Sequence, residues 1–152
     1  MTIKSSTSTS LPTPSDDPCS CFYLRRAARL VTRQYLETMK GTGLKSSQFS
    51  ILAMVSHHGS LTITDLADKM GLERTSLSRA LRPMEKDGLL SISEERERRR
   101  RFVELTKQGR EDFKKALPLW NKAQQQFKKQ LGAQELKTLK SLLKRTAELI
   151  SD

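Results

Sequence analysis

Between residues 62 and 105 the spacing of apolar side chains changes period, and this change narrows the possible folds more than any other feature. "TITDLADKMG" (62–71) repeats at helical spacing, with Ile63, Leu66, Ala67 and Met70 on one stripe. Thr62, with Asp65 three residues on, makes a capping-box-like start, and Gly71 suits the residue after a helix. "GLE" leads straight into "RTSLSRALRPMEKDG", whose stripe is Leu77, Ala80, Leu81 and Met84 and which Gly88 closes. Two short helices around a tight glycine-containing turn outline a helix-turn-helix. The period then falls to two. "LLSIS" and "RFVEL" alternate, placing Leu90 and Ile92, and Val103 and Leu105, on one face. Between them "EERERRRR" (94–101) puts five arginines and three glutamates into eight positions, at the tip of a β-hairpin. A hairpin directly after a helix-turn-helix makes a winged helix.

Helices flank this unit. One is predicted over 21–39, with Phe22, Leu24, Ala27, Ala28, Val31, Tyr35 and Met39 at helical spacing. Another is predicted over 47–57, with Phe49, Leu52, Ala53 and Val55 inward. After the hairpin, Thr106 suits the cap of a helix with the stripe Phe113, Ala116, Leu117, Trp120, Gln124, Phe127 and Leu131. Pro118 lacks a backbone donor and is expected to interrupt and bend that helix. "LGAQ" restarts the chain into a last helix carrying Leu136, Leu139, Leu143 and Ile150. The end helices are single-striped, and the compact middle is too small to cover them, so a second copy of the chain is the economical partner. The expected fold is mainly α (α+β): a winged helix-turn-helix DNA-binding domain over 47–106. Residues 19–46 and 107–152 then form a dimerisation domain, and a disordered tail occupies 1–18.

The totals agree. Lys and Arg number 28 against 17 Asp and Glu, a formal charge of +11, which favours nucleic acid or an anionic membrane as partner. No stretch approaches the ~20 apolar residues that cross a bilayer. "MTIKSSTSTSLPTPSDDP" lacks the apolar core of a signal peptide and is rich in Ser, Thr and Pro. Two cysteines make no disulfide framework, so a cytoplasmic protein with thiols is expected. There is no Gly-rich phosphate loop and no paired nucleophile and base, which argues against an enzyme and implies no cofactor. His57 and His58 are adjacent, share no helix face and lack acids or cysteines at useful spacing, so they are read as structural and no metal is expected. Trp120 is read as core or dimer interface.

The exposed face of the second short helix presents Arg74, Thr75, Ser76, Ser78, Arg79 and Arg82. Arginine binds guanine O6 and N7 bidentately, and Ser and Thr fit base edges or phosphate. Arg82, nearer the helix end, suits a phosphate. Ser47 and Thr62 stand at helix starts, where N–H groups bind phosphate, or where the side chains simply cap. Arginine at a hairpin tip suits a narrow minor groove: Arg99 first and Arg98 second, with Arg100 and Arg101 screening phosphates.

The segment "SSQFSILAMVSHHGSLTITDLADKMGLERTSLSRALRPMEKDGLLSISEERERRRRFVELTKQG" resembles the MarR family of bacterial transcriptional regulators. The likeness rests on "LTITDLADKMG", "RTSLSRALRPMEKDGLL" and a wing with acid-x-Arg before "LT-x-x-G". It implies a winged-helix homodimer on double-stranded DNA at a palindromic operator, with repression relieved by a small phenolic or lipophilic effector or by an oxidant. It places the helix over 74–87 in the major groove and the wing at the minor groove, and sets Glu97-Arg98-Arg99 where the family has Asp-x-Arg. "CFYL" (21–24) resembles the first helix of the family's peroxide-sensing branch, with Cys21 at the reactive position and Cys19 an addition. Redox chemistry, soft-metal binding by the pair and inert thiols all remain open at Cys19 and Cys21. The competing function is a non-specific architectural DNA-binding protein using the same basic surface.

Overall fold

The computed structural model describes residues 19–95 and 98–151. The predicted disordered tail over 1–18 lies outside the described residues, as does Glu97. The elements run α1 (Ser20–Thr38), α2 (Ser46–His58), β1 (Ser60–Thr62), α3 (Ile63–Met70), α4 (Arg74–Lys86), β2 (Leu90–Glu95), β3 (Arg100–Leu105), α5 (Lys107–Leu131) and α6 (Ala133–Ile150). The strands form one antiparallel sheet in the order β1-β3-β2.

The winged helix is built as the periodicity predicts. Leu90 pairs with Leu105 and Ile92 with Val103, so the alternating side chains face one core. Phe49, Leu52, Val55, Leu66, Leu77, Leu81, Met84 and Val103 fill that core. Thr62 caps α3, its hydroxyl accepting from the Asp65 N–H at 3.0 Å. The Asp65 carboxylate turns back to the Thr62 hydroxyl (2.6 Å) rather than to the Thr62 N–H of a full capping box. Gly71 ends α3 at φ 62°, ψ 36°, a left-handed conformation in which a side chain is strained. The Leu72 N–H then reaches the Ala67 carbonyl at 2.9 Å, and the chain enters α4 within three residues.

The structure corrects several expectations. β1 was not predicted: three residues are too few to show alternation, and the strand exists because β3 offers its second edge to Ser60, Leu61 and Thr62. Ile51 is buried, while Ala53 is half-buried. α5 runs uninterrupted through Pro118. Pro118 is exposed, where water can satisfy the carbonyl that lost its donor. Its innermost side chains are Ala116 and Ala123, and the larger Phe113, Leu117, Trp120 and Phe127 are half-buried beside them. Leu136 is buried by its own chain and needs no partner.

α5 is anchored at its first turn. Thr106 donates to the Gly88 carbonyl and accepts from the Gly109 N–H at 2.9 Å. Gly109 lies against the Leu89 backbone, where a Cβ would collide with the carbonyl oxygen. Further along, Phe49 of α2 stacks on Trp120 at 5.4 Å and meets Phe113 at 5.0 Å. α1 is held differently. It contains no buried residue and meets α5 through polar pairs, Gln34 to Gln130 (2.8 Å) and Thr38 to Gln126 (3.0 Å).

Candidate nucleic-acid interface

α4 turns Leu77, Leu81 and Met84 to the core and its opposite face to solvent. Arg74, Thr75, Ser76, Arg79 and Arg82 are exposed, whereas Ser78 is half-buried. Arg74, Thr75, Ser78, Arg79 and Arg82 together line an open hollow of about 540 Å³. Their spacing puts them on one side of the helix, one and two turns apart. Ser76 lies outside this hollow. Pro83, within α4, has no N–H for the Arg79 carbonyl, which is left without its helical donor in the middle of the exposed face.

The β2–β3 ladder ends at the pair Glu95 and Arg100, and Arg98 and Arg99 form a turn directly before β3. Arg98 and Arg99 are exposed at the tip, and Arg99 has φ 50°, unusual for a residue with a side chain. Arg100, expected to screen phosphates, is paired within the wing. Its Nε and Nη2 donate to Glu95 Oε2 at 2.9 and 2.8 Å, and its guanidinium carbon stands 5.4 Å from the Phe102 ring centroid.

A concavity of about 280 Å³ joins wing to helix-turn-helix. Thr62, Ile63, Thr64 and Asp65 form its back, Arg74 and Ser78 one wall, and Arg99, Arg100 and Arg101 the other. Thr62, Arg74, Ser78 and Arg99, predicted separately from sequence, are thus brought together. Thr64 and Asp65 were missed as members of this group. The missing signal is the pairing of Thr62 with Phe102, a contact across forty residues that sets the start of α3 beside the wing. Ser47 is not part of this group. α2 begins one residue earlier, with Lys45 as N-cap and its N–H donating to Gln48 Oε1 at 3.0 Å, so Ser47 is not the cap.

Ser47 instead lines a hollow of about 400 Å³ with Val31, Thr32, Tyr35, Ser46, Ser50, Trp120 and Gln124. Burial raises the Tyr35 phenol above its ordinary value. Trp120 also lines a second open and mostly apolar hollow of about 350 Å³, with Phe49, Ser50, Ala53, Met54 and His57. His57 and His58 lie edge to face at 4.8 Å, both exposed. Partial desolvation, the Lys69 ammonium and His57 together hold the His58 imidazole below its ordinary value. Cys19 is the N-cap of α1, its carbonyl accepting from the Phe22 N–H at 2.9 Å, and Cys21 follows in the first turn. Both thiols are free and exposed.

A helix-turn-helix, a three-stranded sheet with an arginine-tipped wing, and arginines converging between them define a winged-helix DNA-binding protein. The MarR family model matches residues 44–101. The transcriptional regulator MosR of M. tuberculosis, solved in complex with DNA, is 34% identical, with 87% of this chain and 98% of that one covered at a TM-score of 0.77. NadR, solved in complex with 4-hydroxyphenylacetate, is 25% identical over 90% of this chain and 98% of that one, with a TM-score of 0.72. The homoprotocatechuate degradative operon repressor of Escherichia coli is 27% identical over 121 residues, 79% of this chain and 82% of that protein. The chain belongs to the MarR family and is a DNA-binding transcriptional regulator. These family members and structural neighbours are transcriptional regulators rather than enzymes. Among the described residues no helix is long and apolar enough to cross a membrane.

Proposed function

We propose that the protein is a homodimeric repressor of a near-palindromic operator, with α4 in the major groove and the wing at the minor groove. The observation that carries this reading is the concavity in which Arg74 of α4 and Arg99 of the wing face the same space. Arg79, with Thr75 and Ser76, reads base edges. Arg82 meets phosphate, and Arg99 and Arg98 follow the charge and width of the minor groove. The uncovered apolar side chains of the end helices support the dimer: Phe22, Leu24, Leu30 and Leu36 on α1, and Leu142, Leu143, Leu149 and Ile150 on α6. The test is binding to a site selected from random duplexes, compared with unselected DNA at one salt concentration. A regulator prefers its site by ~10³ or more. Equal affinities would establish the architectural alternative.

Release from DNA is assigned to one of two inputs. The hollows that Trp120 lines suit a small phenolic or lipophilic effector, since aromatic surface lies beside the Tyr35 hydroxyl and the small hydroxyls of α2. That NadR was solved with a phenolic acid supports this class of ligand. The alternative is peroxide oxidation at Cys21, in which two thiols become a disulfide and the peroxide is reduced to water or alcohol. Cys19 and Cys21 are separated by one residue, which strains a bridge between them and favours one to the other subunit. Operator affinity before and after mild peroxide, in wild type and Cys21→Ser, decides. An unchanged wild type, or a variant that responds as wild type does, assigns release to the effector.

A further inference from the structure

We propose that Glu95 and Arg100 act as a clasp that positions the wing, holding Arg99 over the concavity it shares with Arg74. The inference rests on the DNA-binding reading above. Glu95 and Arg100 are the last pair of the β2–β3 ladder before the turn. Two nitrogens of the guanidinium converge on one carboxylate oxygen, at 2.9 and 2.8 Å. Residues two apart on a strand share a face, and Phe102 supports the same guanidinium at 5.4 Å. Arg100 is therefore held from across the ladder and from along its own strand.

The neighbour it constrains is the unusual one. Arg99 has φ 50°, a left-handed backbone that is strained for a residue with a Cβ and persists only where the surroundings impose it. The clasp is the contact next to it in the chain. It fixes where β3 begins and hence the direction in which Arg99 leaves the hairpin. Arg99 and Arg101 then line one cavity with Arg74, three arginines around a small space. The paired Glu95 neutralises the fourth. An acid on a surface built to meet phosphate weakens binding by its charge alone, so Glu95 is a costly residue at this place unless it positions something.

That conflict gives the test its sign. Glu95→Gln removes one negative charge with little change of shape. If Glu95 were only a neighbouring charge, DNA affinity would rise. As a positioning residue its loss weakens operator binding, by roughly two- to fivefold for each wing, the range set by an exposed ion pair. Binding to random DNA stays level or rises, so the site preference shrinks. The measurement is fluorescence anisotropy of full-length protein on selected and random duplexes at one salt concentration, with thermal unfolding as the fold control. The double variant Glu95→Arg with Arg100→Glu keeps the net charge and re-creates the pair in reverse. It should recover operator affinity that Arg100→Glu alone loses. Should Glu95→Gln not fold, Arg100→Lys carries the same expectation, because lysine keeps the charge without the fork or the stacking plane. Unchanged or tighter operator binding by Glu95→Gln, or by Arg100→Lys in its place, overturns the clasp. A wild-type protein with no site preference overturns the regulator reading instead, so the two failures are distinct.

Discussion

Gly109 sits in the first turn of α5, where a Cβ would strike the Leu89 carbonyl. Elsewhere in a helix Gly→Ala stabilises by about 1 kcal/mol, because alanine is the better helix former. Here the sign should reverse. Gly109→Ala should destabilise by ~1–3 kcal/mol as α5 is forced off the α4–β2 turn. Urea unfolding checks it, and a more stable variant would refute the close approach. The two kinds of arginine should also separate. Arg79→Ala should cost ~1–3 kcal/mol and relax preference at one operator position, as expected of a base-edge contact. Arg99→Ala should weaken binding and flatten its salt dependence, with little effect on major-groove choice. Anisotropy titrations over several salt concentrations, on operators varied base by base, resolve both. An Arg99→Ala protein matching wild type at every salt concentration would make the wing a solvated charge run.

At the scale of elements, the helices differ in what holds them. α2, α3 and α4 each bury three or more apolar side chains in the shared core. α1 buries none and is tied to α5 through glutamines and a threonine. α6 buries Leu136 alone, and residues 141–150 are all exposed. An apolar helix face in water is a liability that a second copy removes. Deleting α6, by ending the chain before residue 132, should therefore yield aggregated or unfolded protein. Size-exclusion chromatography with circular dichroism checks this. A soluble, folded monomer would show that α1 and α5 need no such cover.

The whole molecule distributes its charge unexpectedly. Residues 47–106, the winged helix, carry ten Lys and Arg against nine Asp and Glu. Residues 19–46 carry six against one, and residues 107–152 eleven against five. The excess of +11 thus resides in the flanking segments, outside the winged helix that carries the arginines proposed to touch DNA. In α1, Arg25, Arg29 and Arg33 follow at four-residue intervals with Arg26 beside them, so they form one exposed stripe. Charge placed there acts through the long-range field, which raises association rates more than it sets specificity. Replacing these four arginines with glutamine should slow operator association at low salt and leave the ratio of specific to random binding nearly unchanged. Stopped-flow association measures it, and a collapse of the ratio would mean that α1 contacts the operator. In the proposed dimer the two α4 helices should stand about 34–36 Å apart, one turn of DNA. Small-angle scattering with a bound duplex, or a half-site spacing series, tests the distance.

The order of elements and most of the core were legible in the sequence, because hydrophobic period reports local geometry directly. A stripe at Ile63, Leu66 and Ala67 admits only a helix, and alternation at Leu90, Ile92, Val103 and Leu105 admits only strands. The arginines of α4 and of the wing were legible too, as exposed positions within those patterns. What the sequence could not state was which distant residues meet. β1 exists only through its pairing with β3. That pairing brings Thr62 and Asp65 to the wing and closes one cavity around Arg74 and Arg99. The Arg100 contact with Glu95, the left-handed Arg99 and the seat of Gly109 on Leu89 are likewise products of tertiary packing. Periodicity encodes which side of an element is dry. The partner it is dry against, and the charges left facing one another once it docks, are decided only when the elements assemble.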